Sequence, residues 1–280
     1  MPSVSLEYPK QPYSKVNRYD SRATYALETI HQIINTSPIL HVSFNSPDSP
    51  FPTILPMIGQ MGSFARPSAD TGDVLELYLH GYVSSRLVNL SRNASNSESS
   101  SSSSSSSSEQ GLPICVAASH VDGLVLALTP NSHSYNYRSA SLFGHATPVA
   151  DVAEKLYAME LITNSVVRGR YAHTRIPPSA AEMQSTSVLR VRIAAGSAKL
   201  RTGGPGDDKA DRQDAALLGR VWTGVLPVHY TLGEPVPGPD NRIGLPGYLR
   251  EFRDAFNRDA EELAVEAATK SLPAKTKHED

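Results

Sequence analysis

Apolar and polar residues alternate along several short stretches of this 280-residue chain, and helical three-to-four spacing is confined to a few others. Ile39 to Phe44, Val74 to Leu79 and Val188 to Ile193 alternate as half-buried strands do. Pro113 to Ala118 and Leu124 to Leu128 are strand-sized apolar runs, and the turn-like Ser119-His120-Val121-Asp122-Gly123 between them predicts a hairpin. Tyr137 to Ala146 and Val221 to Val228 add two more strands. Phe51 to Gly59 carries Pro52 and Pro56, which cannot donate to a ladder, so it reads as an edge or bulged strand.

Helices are expected at four places. Ser21 can cap one that runs through Tyr25, Ala26, Ile30, Ile33 and Ile34 and stops before Ser37-Pro38. Ser84 or Ser85 can cap a short one through Leu87, Val88 and Leu90. Asp151 to Ser165 and Leu249 to Lys270 carry apolar stripes, the latter on a charged surface helix. Many short strands with few helices predict a mainly β fold, a small antiparallel barrel with peripheral helices.

The pattern also divides the chain. Residues 1–20 are polar, with Pro2, Pro9 and Pro12 and no periodicity, and read as a flexible arm. Residues 21–230 form the folded domain, and 231–280 a C-terminal extension bearing the last helix. Within the domain, 92–111 reads as a disordered insertion, because the unbroken serines from Ser99 to Ser108 offer almost no apolar surface to bury. The cost of closing such a loop grows only logarithmically with length, so one domain continues across it. The serines could accept phosphate, yet no reader for them is visible, and a solvated loop is the stronger reading.

Composition narrows the partners. A net charge of −2 gives no basic face for nucleic acid or an anionic membrane, and no apolar run approaches the roughly 20 residues of a membrane span. The first residues lack the basic and apolar regions of a secretory signal, and the single Cys115 cannot form an internal disulfide. A soluble, cytoplasmic protein acting on a small molecule is the expectation.

Two clusters carry candidate chemistry. In Leu77-Tyr78-Leu79-His80-Gly81-Tyr82-Val83-Ser84-Ser85-Arg86 a strand ends in glycine and a helix opens with two serines and an arginine. A cation at a helix start is poorly placed for the helix dipole, so a bound anion would account for Arg86; a plain surface arginine is the alternative. The second cluster, Ser132 to Ser139, sets His133, Tyr137, Arg138 and Ser139 on one strand edge. Arginine offers a planar fork of donors to phosphate, and serine hydroxyls and helix-start amides fill the other oxygens. Ser84 and Ser85 could equally be helix caps alone.

Lys199 and Arg201 could reach a cofactor or flank the turn at Gly203-Gly204-Pro205. Trp222 could stack on a ring, though a sole tryptophan in a small barrel is more often core. His80, His120 and His133 match no compact zinc spacing, and one cysteine completes no usual structural site, so no metal is expected.

Taken in order, these segments resemble the FMN-binding split-barrel superfamily, in its pyridoxamine 5′-phosphate oxidase-like, nitroimidazole-resistance-like branch. The resemblance is carried by Leu77 to Gly81 with Ser84-Ser85-Arg86, Pro113 to Val116, Asp122 to Ala127, His133 to Ser139, Lys199 to Gly203 and Trp222 to Pro227, and covers about His41 to Val228. It implies a six-stranded antiparallel split β-barrel, Greek-key-like, in a homodimer with FMN in a groove made by both subunits. It also implies that Ser84, Ser85, Arg86, Tyr137, Arg138 and Ser139 lie near the flavin phosphate, with His133, Lys199, Arg201 and Trp222 as further candidates for the cofactor site.

The leading expectation is therefore an FMN-dependent oxidoreductase in which the flavin carries the redox chemistry and no side chain acts as a covalent nucleophile. No catalytic residue is assigned. Two alternatives stand beside it: a haem-binding or haem-handling barrel with His133 or His80 on the iron, and a flavin-binding module without turnover. A deazaflavin could replace FMN.

Overall fold

The computed structural model describes residues 5–98 and 110–270. Along the chain lie β1 (Ala23–Thr24), α1 (Leu27–Thr36), β2 (Leu40–Phe44), β3 (Thr53–Met57), β4 (Gly59–Gly62), β5 (Glu76–Tyr82) and α2 (Arg86–Glu98). There follow β6 (Leu112–Leu126), β7 (Ser134–Pro148), α3 (Val152–Val166), α4 (Ala180–Ser185), β8 (Thr186–Arg201), α5 (Ala215–Leu218), β9 (Gly224–Pro227) and α6 (Gly247–Thr269). The strands hydrogen-bond in the order β3-β2-β6-β7-β8-β5-β4, with β1 on β8 and β9 on β6. The class is mainly β and antiparallel, as expected, but the count among the described residues is nine strands rather than six.

Two differences account for most of the change. Phe51 to Gly59 is not one strand: β3 ends at Met57 and β4 starts at Gly59, and β3 with its Pro56 pairs only with β2, at the end of the order. The hairpin expected at Ser119 to Gly123 is absent, and β6 runs straight through it for 15 residues. The inside-outside alternation persists across the supposed turn, with His120 and Asp122 buried. Gly123 serves close approach instead of a turn, since a Cβ there would stand 2.7 Å from Val225.

The chain forms two compact units, Met1–Ser119 with Ser139–Ala198, and His120–Arg138 with Lys199–Asp280. In the first, β2 is flanked by β3 and β6, and β5 by β4 and β8. Leu40, Val42, Leu77, Leu79, Leu142 and Leu189 are fully buried, as the alternating pattern requires. Helix α3 lays Ala158 and Ile162 against Tyr78 and Val188. The Tyr78 hydroxyl donates to Glu154 at 3.0 Å, and Arg190 bridges Glu154 at 3.1 Å and Glu76 at 3.6 Å. Burial, then the two carboxylates, hold the Tyr78 phenol protonated far above its ordinary range.

Helix α1 starts at Leu27, five residues later than the Ser21 cap implied, because Tyr25 is held by the N-terminal segment through Tyr8 N to Tyr25 O at 2.9 Å. Tyr8 is buried, and its hydroxyl donates to His31 Nε2 at 2.7 Å while His31 Nδ1 donates to the Thr71 carbonyl at 2.8 Å. The imidazole is fully occupied as a neutral ring. Burial lowers the His31 pKa below its ordinary 6.5, against a smaller opposite effect of the Thr71 bond. Between the lowered folded value and 6.5 the unfolded chain binds the extra proton, so this stabilisation is complete above about pH 6.5 and falls as pH drops below it. Denaturant melts of wild type and His31→Gln between pH 7.5 and 5 should therefore converge on acidification; a difference that stays constant would contradict this.

Helix α2 is longer than expected. Of the stretch 92–111, residues 92–98 continue α2, and 99–109 lie outside the described residues. Ser91 and Ser95 are accommodated in the helix because their hydroxyls donate to the Leu87 and Ser91 carbonyls, each at 2.9 Å.

In the second unit β9 pairs with the end of β6, Gly123 opposite Pro227 through Leu126 opposite Gly224. Helix α6 buries Ala264 and Ala267. Arg253 and Asn257 on the same helix fasten the preceding extended segment at Leu232 and Gly233.

Candidate functional site

The corner between β5 and α2 is built by its own sequence. Alternation brings β5 to Tyr82, a turn follows in which Ser85 N bonds Tyr82 O at 2.9 Å, and the Ser85 hydroxyl caps α2 by accepting from Val88 N at 3.4 Å. Ser84 is left exposed beside it, and Arg86 stands at the first position of the helix with its side chain 56% exposed. A pocket of about 490 Å³ opens here, lined by Ser46, Asp48, Ser84, Arg86 and Asn89.

Asp48 is the residue that sequence reasoning missed at this corner. Its carboxylate lies 3.9 Å from the Arg86 guanidinium, at the loose limit of an ion pair, with both side chains exposed. A hydrogen bond from Ser46, then one from its own backbone N–H, then the charge of Arg86 hold it below the usual carboxylate range. The helix start disfavours a cation, and the only carboxylate paired with Arg86 among the described residues is this distant one. The arrangement can accept a dianion on a planar guanidinium and a serine hydroxyl.

The second cluster is organised differently. Arg138 Nε and Nη2 each donate to Asp122 at 2.9 Å in a bidentate pair, and the Asp122 side chain is only 5% exposed. Two of the five guanidinium N–H groups are thereby fixed, which orients the rest. Residues on a strand alternate faces, so Arg138 shares a face of β7 with buried Asn136, while Tyr137 and Ser139, both half-buried, project from the other. His133 is exposed just before β7, and its Nδ1 donates to the Thr129 carbonyl at 3.0 Å.

Arg201 is 6% exposed and acts as a latch. Its Nη1 donates to Asn136 Oδ1 and its Nη2 to the Gly204 carbonyl at 2.9 Å, while Asn136 Nδ2 reaches the Ala267 carbonyl of α6 at 3.1 Å. A cation near the last carbonyls of a helix is favourably placed for its dipole. Lys199, two residues earlier, is half-buried. Trp222, for which the core was the commoner fate, is 63% exposed and folds over Gly224, where a Cβ would stand 2.7 Å from its ring. Cys115 is half-buried in β6, and burial pushes its thiol pKa up, away from reactivity. No cluster of metal-ligating side chains occurs among the described residues. Nor is any described helix long and apolar enough to cross a membrane.

The structure thus gathers Ser84, Ser85 and Arg86 at one corner, and commits Arg138 to Asp122 and Arg201 to Asn136. The signal for Asp122 was present in the sequence, in Asp-Gly next to a strand, but it read as a turn.

Comparison with known proteins bears on these residues. Among curated proteins no sequence matches the chain. Among solved structures, the flavocytochrome Anf3 from Azotobacter vinelandii is 28% identical, with 87% of this chain and 97% of that one covered and a TM-score of 0.66. The FAD and heme binding protein from Mycobacterium smegmatis is 26% identical, with 83% and 97% covered and a TM-score of 0.64. The family described as pyridoxamine 5′-phosphate oxidase matches residues 27–200, a span that holds the β5–α2 corner and the Asp122–Arg138 pair. The match takes in more than half of the sequence, and the chain belongs to the pyridoxamine 5′-phosphate oxidase family.

Proposed function

We propose that this protein is a flavin-dependent oxidoreductase that acts on a small molecule, with the flavin phosphate held at the β5–α2 corner. The observation that carries the reading is Arg86, a cation at a helix start, beside an exposed serine, inside the segment that matches the family. A phosphate there satisfies the guanidinium better than Asp48 at 3.9 Å does. The bound flavin would supply two-electron redox chemistry. The chain's own part is to anchor the phosphate through Arg86 and Ser84 and to keep α2 in place through the Ser85 cap.

FMN is the cofactor favoured by the sequence resemblance, and FAD is in the name of the Mycobacterium smegmatis relative. Titrating FMN and FAD separately into the protein, with quenching of flavin fluorescence as readout, should give micromolar or tighter binding of one of them. Arg86→Gln should weaken it by about tenfold or more, as expected for losing a charged hydrogen bond worth about 1.5–3 kcal/mol. Equal affinity of wild type and variant would remove the phosphate from this corner.

A second reading adds haem to the flavin, since both relatives above are named for a cytochrome or for haem. Among the exposed histidines, His133 suits an iron ligand best. Its Nδ1 is tied to the Thr129 carbonyl, which leaves Nε2 with the lone pair, the arrangement metal-bound histidines commonly use.

A further inference from the structure

Of the side chains that line the pocket at the start of α2, only Arg86 and Asp48 are charged. A ligand there meets a formal charge of zero, where Arg86 alone would present a net positive one. Which phosphate suits the corner therefore depends on Asp48 as much as on Arg86.

Asp48 is fixed where it stands. Ser46 to Ser49 forms a turn in which Ser49 N donates to the Ser46 carbonyl at 3.1 Å, and Pro47 at the second position supplies the φ that such a turn uses. The hydroxyl of Ser46, a residue only 5% exposed, donates to Asp48 Oδ1, and the Asp48 backbone N–H donates to the same carboxylate. Oδ2 is left facing Arg86 Nη2 at 3.9 Å. A carboxylate held on its other oxygen does not swing aside when a phosphate arrives. These same contacts keep Asp48 ionised to below the usual carboxylate range, so it is an anion across the whole interval, around pH 6, in which a phosphate monoester takes up its proton.

Phosphates differ in the charge they bring to such a place. The monoester of FMN carries close to two negative charges on one phosphorus above about pH 6. Each phosphorus of the FAD pyrophosphate, linked through two of its oxygens, carries one. Any phosphate on Arg86 and Ser84 also faces Asp48. A dianion can be accepted, but its second charge meets a repulsion that a monoanion avoids, and even in water a pair of unit charges about 4 Å apart corresponds to about a fivefold change in affinity.

On the reading of this corner as the flavin-phosphate site, on which the inference rests, we infer that Asp48 sets its specificity, admitting a singly charged phosphate in preference to a doubly charged one and so FAD in preference to FMN. The test is competition at equilibrium. The full-length protein as purified is dialysed at low ionic strength against an equimolar excess of FMN and FAD, and the flavins it retains are released and quantified by chromatography. Wild type is expected to retain more FAD than FMN. Asp48→Asn keeps an oxygen for the Ser46 hydroxyl and removes the charge, and should raise retained FMN relative to FAD about fivefold. The pH dependence should reverse as well. Acidification from about pH 7.5 to about 5.5 adds a proton to the monoester, which should raise FMN relative to FAD in wild type and lower it in Asp48→Asn, where Arg86 is the only charge left in the pocket. A ratio of retained flavins that Asp48→Asn leaves unchanged, or that responds to pH in the same direction in both proteins, would overturn the inference while the flavin site itself stands. Retention of neither flavin by either protein would overturn it together with the reading on which it rests.

Discussion

Asp122→Ala is expected to lower folding stability by about 3 kcal/mol, because it leaves the Arg138 guanidinium half-buried without the carboxylate that now takes two of its donors. The pair is worth more than a surface ion pair, since the Asp122 side chain is 5% exposed and the geometry is bidentate at 2.9 Å. The double variant Asp122→Leu with Arg138→Met should recover at least half of the loss, as apolar replacement of a buried pair commonly does. Urea denaturation of the three proteins measures this. A loss below about 0.5 kcal/mol for Asp122→Ala would mean that the pair contributes no more than a surface one does.

Arg190→Met should be comparably damaging, by about 3 kcal/mol, for a different reason. It strips the cation from between Glu154 and Glu76 while Glu154 stays buried beside the Tyr78 hydroxyl. The buried carboxylate then keeps the phenol as a hydrogen-bond donor, but its charge is uncompensated. Adding Glu154→Leu to Arg190→Met should restore part of the stability by removing that charge. If the double variant is less stable than Arg190→Met alone, the loss comes from packing of the arginine stem and not from the stranded carboxylate.

How much of this was legible in the sequence depends on where the partners lie. Helices α3 and α6 and strands such as β2 and β5 follow from periodicity, because burial of one face is a local pattern. The continuous β6 did not, although its turn chemistry was read correctly as chemistry. Asp122-Gly123 has the composition of a turn, but the carboxylate is claimed by Arg138 sixteen residues away and the glycine by the approach of β9. The start of α1 was misplaced for the same reason, since Tyr8 and Tyr25 pair through the backbone in a segment without periodicity.

At the candidate site, the strand, glycine and Ser-Ser-Arg order picked out the β5–α2 corner, which depends on consecutive residues. Asp48, contributed by a distant turn, carried no signal of its own. Arg201 reads equally as a cofactor contact or the flank of a turn, and Trp222 more often as core than as a stacking ring. One is a buried latch on Asn136, and the other lies exposed over Gly224. Neither outcome can be deduced from residue type: Arg201 is claimed by Asn136, 65 residues away, and Trp222 by the space that Gly224 leaves beside it.

The visible absorbance spectrum of the protein as purified, with mass spectrometry of the small molecules released on denaturation, tests the central reading most directly. The expected result is an oxidised-flavin spectrum with FMN or FAD released, joined by a Soret band if haem is also bound and lost from it in His133→Ala. A colourless protein that releases no flavin, and stays colourless after incubation with FMN and with FAD, would contradict it.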